Sequence, residues 1–83
     1  ILPIDVLATE LIKIMERDYT GGLKERYEIE ANEDPLVMLG AIAKVRGCLL
    51  KGGEYDIIKA SRMLIDDFRS GKLGRISLEV PAK

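Results

Sequence analysis

"DPLVMLGAIAKVRG", residues 34–47, decides how this chain folds. Asp34 followed by Pro35 is a helix start: an Asp oxygen accepts a free backbone N–H, and Pro fits the first helical position. From Leu36 to Ala43 no residue is charged. A helix apolar almost all round is central and covered by its neighbours. Arg46 and Gly47 end it, a cation near the negative pole followed by a residue that accepts the left-handed cap conformation.

Neighbours to cover it lie on both sides. Residues 4–19 place Ile4, Leu7, Ala8, Leu11, Ile14, Met15 and Tyr19 on one face at helical spacing, with Lys13, Glu16 and Arg17 opposite. Pro3 is tolerated in a first turn, Asp5 favours the helix start, and "TGG" at 20–22 stops the helix. "LKERYE" at 23–28 suggests one or two turns, and "EIEANED" then reads as a solvated connection. After "CLLKGGEYD", whose "GG" at 52–53 breaks any helix, a last helix is predicted from about Glu54 to Ser70. Its core stripe is Ile57, Ala60, Ser61, Leu64, Ile65 and Phe68, and Gly71 ends it. "RISLEVP" beyond alternates like a strand but has no partner strand, which predicts an extended tail packed on the helices. The expected fold is all-α: a small bundle of three main helices plus a short one, with an extended C-terminal tail.

Composition narrows the chemistry. Eighty-three residues make one small domain with a modest core. The chain begins at Ile1 and is expected to be a piece of a longer protein. No apolar run approaches a membrane span, and the N-terminal stretch lacks the basic start of a signal peptide. A lone Cys48 permits no intrachain disulfide and points to a reducing, cytoplasmic setting. There is no His, which removes the commonest acid–base residue and metal ligand, so no metal site and no catalytic residue are assigned.

The glycine clusters invite a nucleotide-binding reading that fails. A Walker loop is G-x-x-x-x-G-K-[ST], running from strand to helix. Here Leu73 follows Gly71-Lys72, Asp66 stands at the first glycine's place, and a helix precedes the loop. "KGGEYD" lacks G-x-G-x-x-G. Helix punctuation is the alternative for both clusters. The carboxylates Asp66 and Asp67 point about 100° apart on a helix and converge on no ligand. Asp66, four after Arg62 and three before Arg69, suits an exposed ion-pair ladder. Cys48 suits packing as a small hydrophobe. Met63, on the cationic half of its helix, is either an exposed contact or covered by the tail.

Charge segregation is the feature left standing. Residues 1–43 hold four cations against nine acids, a net of −5, whereas residues 44–75 hold eight against four, a net of +4. The eight are Lys44, Arg46, Lys51, Lys59, Arg62, Arg69, Lys72 and Arg75. On the last helix Lys59, Arg62, Asp66 and Arg69 share about a quarter-turn of the wheel. Clustered cations plus free N–H groups at glycines suit phosphate; a solvated surface is the other reading. Aromatics are few and scattered, so contacts to nucleic acid would go to backbone and shape.

The motif "RGCLLKGGEYDIIKASRMLIDDFRSGKLGRISLE", residues 46–79, resembles the C-terminal end of the ribosome biogenesis GTPase A family, the YlqF/RbgA type of bacterial circularly permuted GTPases. "LKERYEI" matches more weakly. One departure is Val45, where many members carry a second basic residue before Gly47; Lys44 is the nearest substitute.

The resemblance implies that residues 1–83 are a single C-terminal helical domain of a GTPase whose GTP-binding domain, with GTP and Mg²⁺, lies before Ile1. It implies no cofactor in this piece and a bundle likened to RNA-binding antiterminator (ANTAR) domains. It further implies docking on the maturing large (50S) ribosomal subunit through rRNA. Among the matched positions, Arg46, Arg69, Lys72 and Arg75 are expected to meet phosphate. Gly47, Gly52, Gly53, Gly71 and Gly74 are expected to shape the backbone, and Asp56 to act structurally at the start of the last helix. The alternative is a protein-interaction or regulatory domain that grips its own GTPase domain or a ribosomal protein.

Overall fold

The computed structural model describes residues 2–73. Four helices follow one another: α1 (Ile4–Asp18), α2 (Gly22–Tyr27), α3 (Pro35–Val45) and α4 (Ile57–Arg69). No strand is formed among the described residues; the predicted all-α bundle of three main helices and a short one is the fold observed. The predicted tail, with Gly74 and Arg75, lies outside the described residues.

Each helix forms for a local reason. Asp34 Oδ1 accepts the Leu36 N–H at 2.9 Å and Pro35 opens α3, as the sequence dictates. α3 buries Met38, Leu39, Ile42 and Ala43 against α1 and α4. It is not covered all round, however. Leu36, Val37 and Val45 stay about half exposed, because the two helices packed on α3 are too few to close around an apolar cylinder.

α1 is also rotated slightly from its predicted face. Ala8, Leu11, Ile12 and Met15 are buried, whereas Leu7 is 42% exposed. The pairs 8/12 and 11/15 stack one turn apart, and this ridge is the one that meets α3 and α4. Pro3 caps the helix from outside, its carbonyl accepting the Leu7 N–H at 3.0 Å.

α4 starts three residues later than predicted. Leu49 and Tyr55 form an antiparallel bridge, with Leu50 N donating to Glu54 O (2.6 Å) and Asp56 N to Cys48 O (2.7 Å). This small hairpin holds residues 54 and 55 extended, and Asp56 becomes the cap, its Oδ1 accepting the Lys59 N–H at 3.0 Å. Ala60, Ser61, Leu64 and Ile65 are buried, and the Ser61 hydroxyl donates to Ile57 O. Cys48 is fully buried with its Sγ 3.3 Å from Met63 Sδ. Met63 is thus half-buried under the α3–hairpin junction, a cover the sequence did not suggest.

"EIEANED" is not wholly solvated either: Ile29 is 4% exposed and joins the core. It gets there because Glu28, at φ 57°, turns the chain sharply as α2 ends. Glu28 is the sole non-Gly residue with positive φ among the described residues. Left-handed backbone costs an L-residue roughly 1–2 kcal/mol, more than a glycine loses in unfolded-state entropy. Glu28→Gly is therefore expected to raise stability by roughly 0.5–1 kcal/mol, read as a higher midpoint in urea.

Candidate nucleic-acid interface

The polar stripe of α4 follows from its amphipathic spacing. Burying Ala60, Ser61, Leu64 and Ile65 leaves Lys59, Arg62, Asp66 and Arg69 exposed on the outside. Arg62, Asp66 and Arg69 line a shallow depression of about 350 Å³, floored by Leu2, Ile4, Leu7 and Ile65 where α1 meets α4. The expected ion-pair ladder is absent: Asp66 makes no ion pair with either arginine within 4.0 Å. Exposed pairs gain about 0–1 kcal/mol and must fix two long side chains to do so. The α4 cations are consequently without a protein counter-charge among the described residues.

Both helix ends carry the glycine geometry that their motifs imply. At the end of α4, Gly71 N donates to Phe68 O (3.2 Å) and Lys72 N to Asp67 O (2.9 Å), with Gly71 at φ 78°. That is a Schellman end, and only glycine takes its left-handed position without strain. The end of α3 repeats it, Gly47 N reaching Lys44 O and Cys48 N reaching Ala43 O. The glycine cluster at Gly71 is therefore a helix terminus that puts Lys72 on the surface and turns Leu73 into the core. In the hairpin, Gly53 N donates to Leu50 O across a turn that needs positive φ at Gly52 (98°), and Gly53 is positive as well.

The cations do not merge into one patch. Arg62 and Arg69 share the α1/α4 depression, with Lys59 one turn along the same face. Lys51 sits at the hairpin tip and Lys72 beyond α4, both exposed. Lys44 lies apart, in a groove of about 470 Å³ shared with Glu28, Glu30, Val37 and Val45. Arg46 packs its guanidinium over the Tyr27 ring, 5.0 Å from the centroid. Arg75 and Gly74 are outside the described residues. Among the described residues no three Cys, Asp or Glu side chains gather to hold a metal. Nor, among the described residues, is any helix long and apolar enough to cross a membrane.

One polar cluster escaped the sequence reading. The buried Tyr27 hydroxyl donates to Asp67 Oδ2 at 2.7 Å, and Arg26 Nε stands 3.6 Å from the same oxygen. Burial, together with the Asp67 carboxylate, pushes the Tyr27 phenol well above its ordinary range. Asp67 thus ties α2 to α4 rather than joining a surface ladder. The signal was its place on the wheel: three residues after Leu64, it borders the core stripe, where a carboxylate needs a donor.

Together these features define a small helical module with its cations spread over one helix face and the turns beside it. No family model matches the chain. Curated proteins do match. The chain is 40% identical over 82 residues to ribosome biogenesis GTPase A of Bacillus cereus, covering 98% of this chain and 28% of that protein. Ribosome biogenesis GTPase A of Priestia megaterium is 30% identical over 84 residues, covering all of this chain and 29% of that protein. Nucleolar GTP-binding protein 2 of Schizosaccharomyces pombe is 37% identical over 60 residues, or 72% of this chain and 11% of that protein. The chain is a relative of ribosome biogenesis GTPase A along nearly its whole length, and spans under a third of those bacterial proteins.

Proposed function

We propose that this chain is the C-terminal RNA-docking module of a GTPase that assists assembly of the large ribosomal subunit. Its support is the set of exposed α4 cations, Lys59, Arg62 and Arg69, which have no acid partner among the described residues of a chain related to ribosome biogenesis GTPase A. Phosphate contacts position a protein on RNA and draw affinity from counterion release. Cations already neutralised by protein acids would contribute little of this. The module carries no catalysis of its own; GTP and its Mg²⁺ belong to another part of the protein, and the chain alone is expected to hydrolyse no GTP. The setting that follows is cytoplasmic.

A double replacement of Lys72 and Arg75 by Ala tests the cations that follow α4 in the sequence. Filter binding to large-subunit rRNA should weaken, and the slope of log affinity against log salt should flatten by about 1.4, two contacts at roughly 0.7 each. Thermal stability should stay within about 0.5 kcal/mol, since Lys72 is exposed and neither replacement removes an apolar side chain. Unchanged binding across the salt series would remove both residues from the interface.

A second reading has its own observation. The open face of α3, with Leu36, Val37 and Val45, and the groove edged by Glu28 and Glu30 suit a protein partner: the GTPase domain itself or a ribosomal protein. Association that survives nuclease and about 1 M salt would favour it.

A further inference from the structure

The 48–56 hairpin presents an aromatic ring whose exposure was not legible in the sequence. Tyr55 and Leu49 face each other across the bridge, 44% and 53% exposed. The flanking bonds, Leu50 to Glu54 and Asp56 to Cys48, make them a non-hydrogen-bonded pair, the kind with the closer side chains. The ring edge lies near Gly40 of α3, 3.8 Å from where a Cβ there would stand, an ordinary contact distance that rests the ring against the helix. Its hydroxyl makes no hydrogen bond among the described residues.

The surroundings suit an anion. The turn that closes the hairpin places Lys51 at its tip, and Lys59 lies in the first turn of α4, four residues after Tyr55. Neither forms an ion pair among the described residues. The N–H groups of Lys51 and Gly52 donate no hydrogen bond there, and both residues are exposed. Free N–H groups beside a lysine form a phosphate-binding concavity. An apolar protein partner would use Leu49 and Tyr55 but leave those donors and both ammonium groups without counter-charge. A stacked base with its adjoining phosphate uses the ring, the Lys51 ammonium and the free N–H groups together, and that pairing exists where a nucleotide is unpaired.

We infer that the hairpin is a subsite for one unpaired nucleotide: the base stacks on the Tyr55 ring beside Leu49, and its phosphate meets Lys51 and the Lys51 and Gly52 N–H groups. This rests on the RNA-docking reading and adds to it a preference for single-stranded over duplex RNA.

The test titrates the full chain with a labelled 12-nucleotide oligouridine and a labelled RNA duplex of 12 base pairs, by fluorescence anisotropy. Tyr55→Ala is expected to weaken oligouridine binding about ten-fold, one stacked base, while the salt slope and duplex affinity stay unchanged. Tyr55→Phe keeps the ring and is expected to bind like the parent, separating stacking from any loss of fold. If the parent binds oligouridine and Tyr55→Ala binds it equally well, the subsite is overturned and RNA docking stands. Equal losses toward oligouridine and duplex would also overturn it, as the ring would then be a structural prop. If Tyr55→Ala keeps RNA affinity yet loses a nuclease-resistant association with ribosomal particles, the hairpin is a protein contact. A parent chain that binds neither RNA removes both readings.

Discussion

Asp67→Ala is expected to cost about 3 kcal/mol of unfolding free energy, the largest effect of any exposed-looking acid in this sequence. Asp67 is only 14% exposed at its side chain and receives the Tyr27 hydroxyl at 2.7 Å. Removing it strands a buried phenol, a loss of about 1–3 kcal/mol, and takes away the charge nearest Arg26 Nε. For a domain of this size the melting point should fall by on the order of 10–20 °C. Asp67→Asn keeps an acceptor and should lose less. A variant within a degree or two of the parent would mean that the α2–α4 tie carries no stability.

The same tie has a pH signature. The folded phenol titrates above its unfolded value, so Tyr27 is protonated in both states below about pH 10 and its full contribution is present there. Above that pH the unfolded chain gives up the proton first, and stability falls as pH climbs toward the folded value. Melting points measured between about pH 9 and 11 should therefore drop more steeply for the parent than for Tyr27→Phe, which has no proton to lose.

Tyr27 and Asp67 also mark where reading the sequence stops. Helix boundaries other than the start of α4 were legible because they are local: Asp34-Pro35 caps α3, Gly47 and Gly71 close α3 and α4, and each works through bonds within a few residues. The α4 core stripe was legible for the same reason, its period being set by one helix. What sequence could not supply was pairing at a distance. Tyr27 and Asp67 are 40 residues apart, and nothing near either one names the other. The hairpin was missed by a different route. Glu54 and Tyr55 have no propensity against helix, but the Leu49–Tyr55 bridge and the glycine turn outweigh it. The cations were all found by composition, yet their grouping depends on which helices meet. Arg62 and Arg69 come together over α1, while Arg46 is drawn onto Tyr27 and Lys44 lines a separate groove with Glu28 and Glu30.

That grouping sets the second large effect. Lys59→Ala, Arg62→Ala and Arg69→Ala combined should lower RNA affinity about a hundred-fold near 0.1 M salt. Three phosphate contacts at roughly 0.7 each give a salt slope of about 2, hence about two decades between 1 M and 0.1 M. The deficit should accordingly vanish near 1 M salt, a dependence that misfolding would not produce. Misfolding is itself unexpected, because all three side chains are exposed, make no ion pair among the described residues, and give way to the residue that favours helix most. Asp66→Asn is the converse test: the acid sits between Arg62 and Arg69 in the same depression, repelling phosphate without neutralising either arginine by direct contact. Its loss should tighten RNA binding by a few-fold at low salt. If the triple variant binds as the parent does at every salt concentration, the α4 face is not where RNA docks, and the open face of α3 becomes the docking surface to test next.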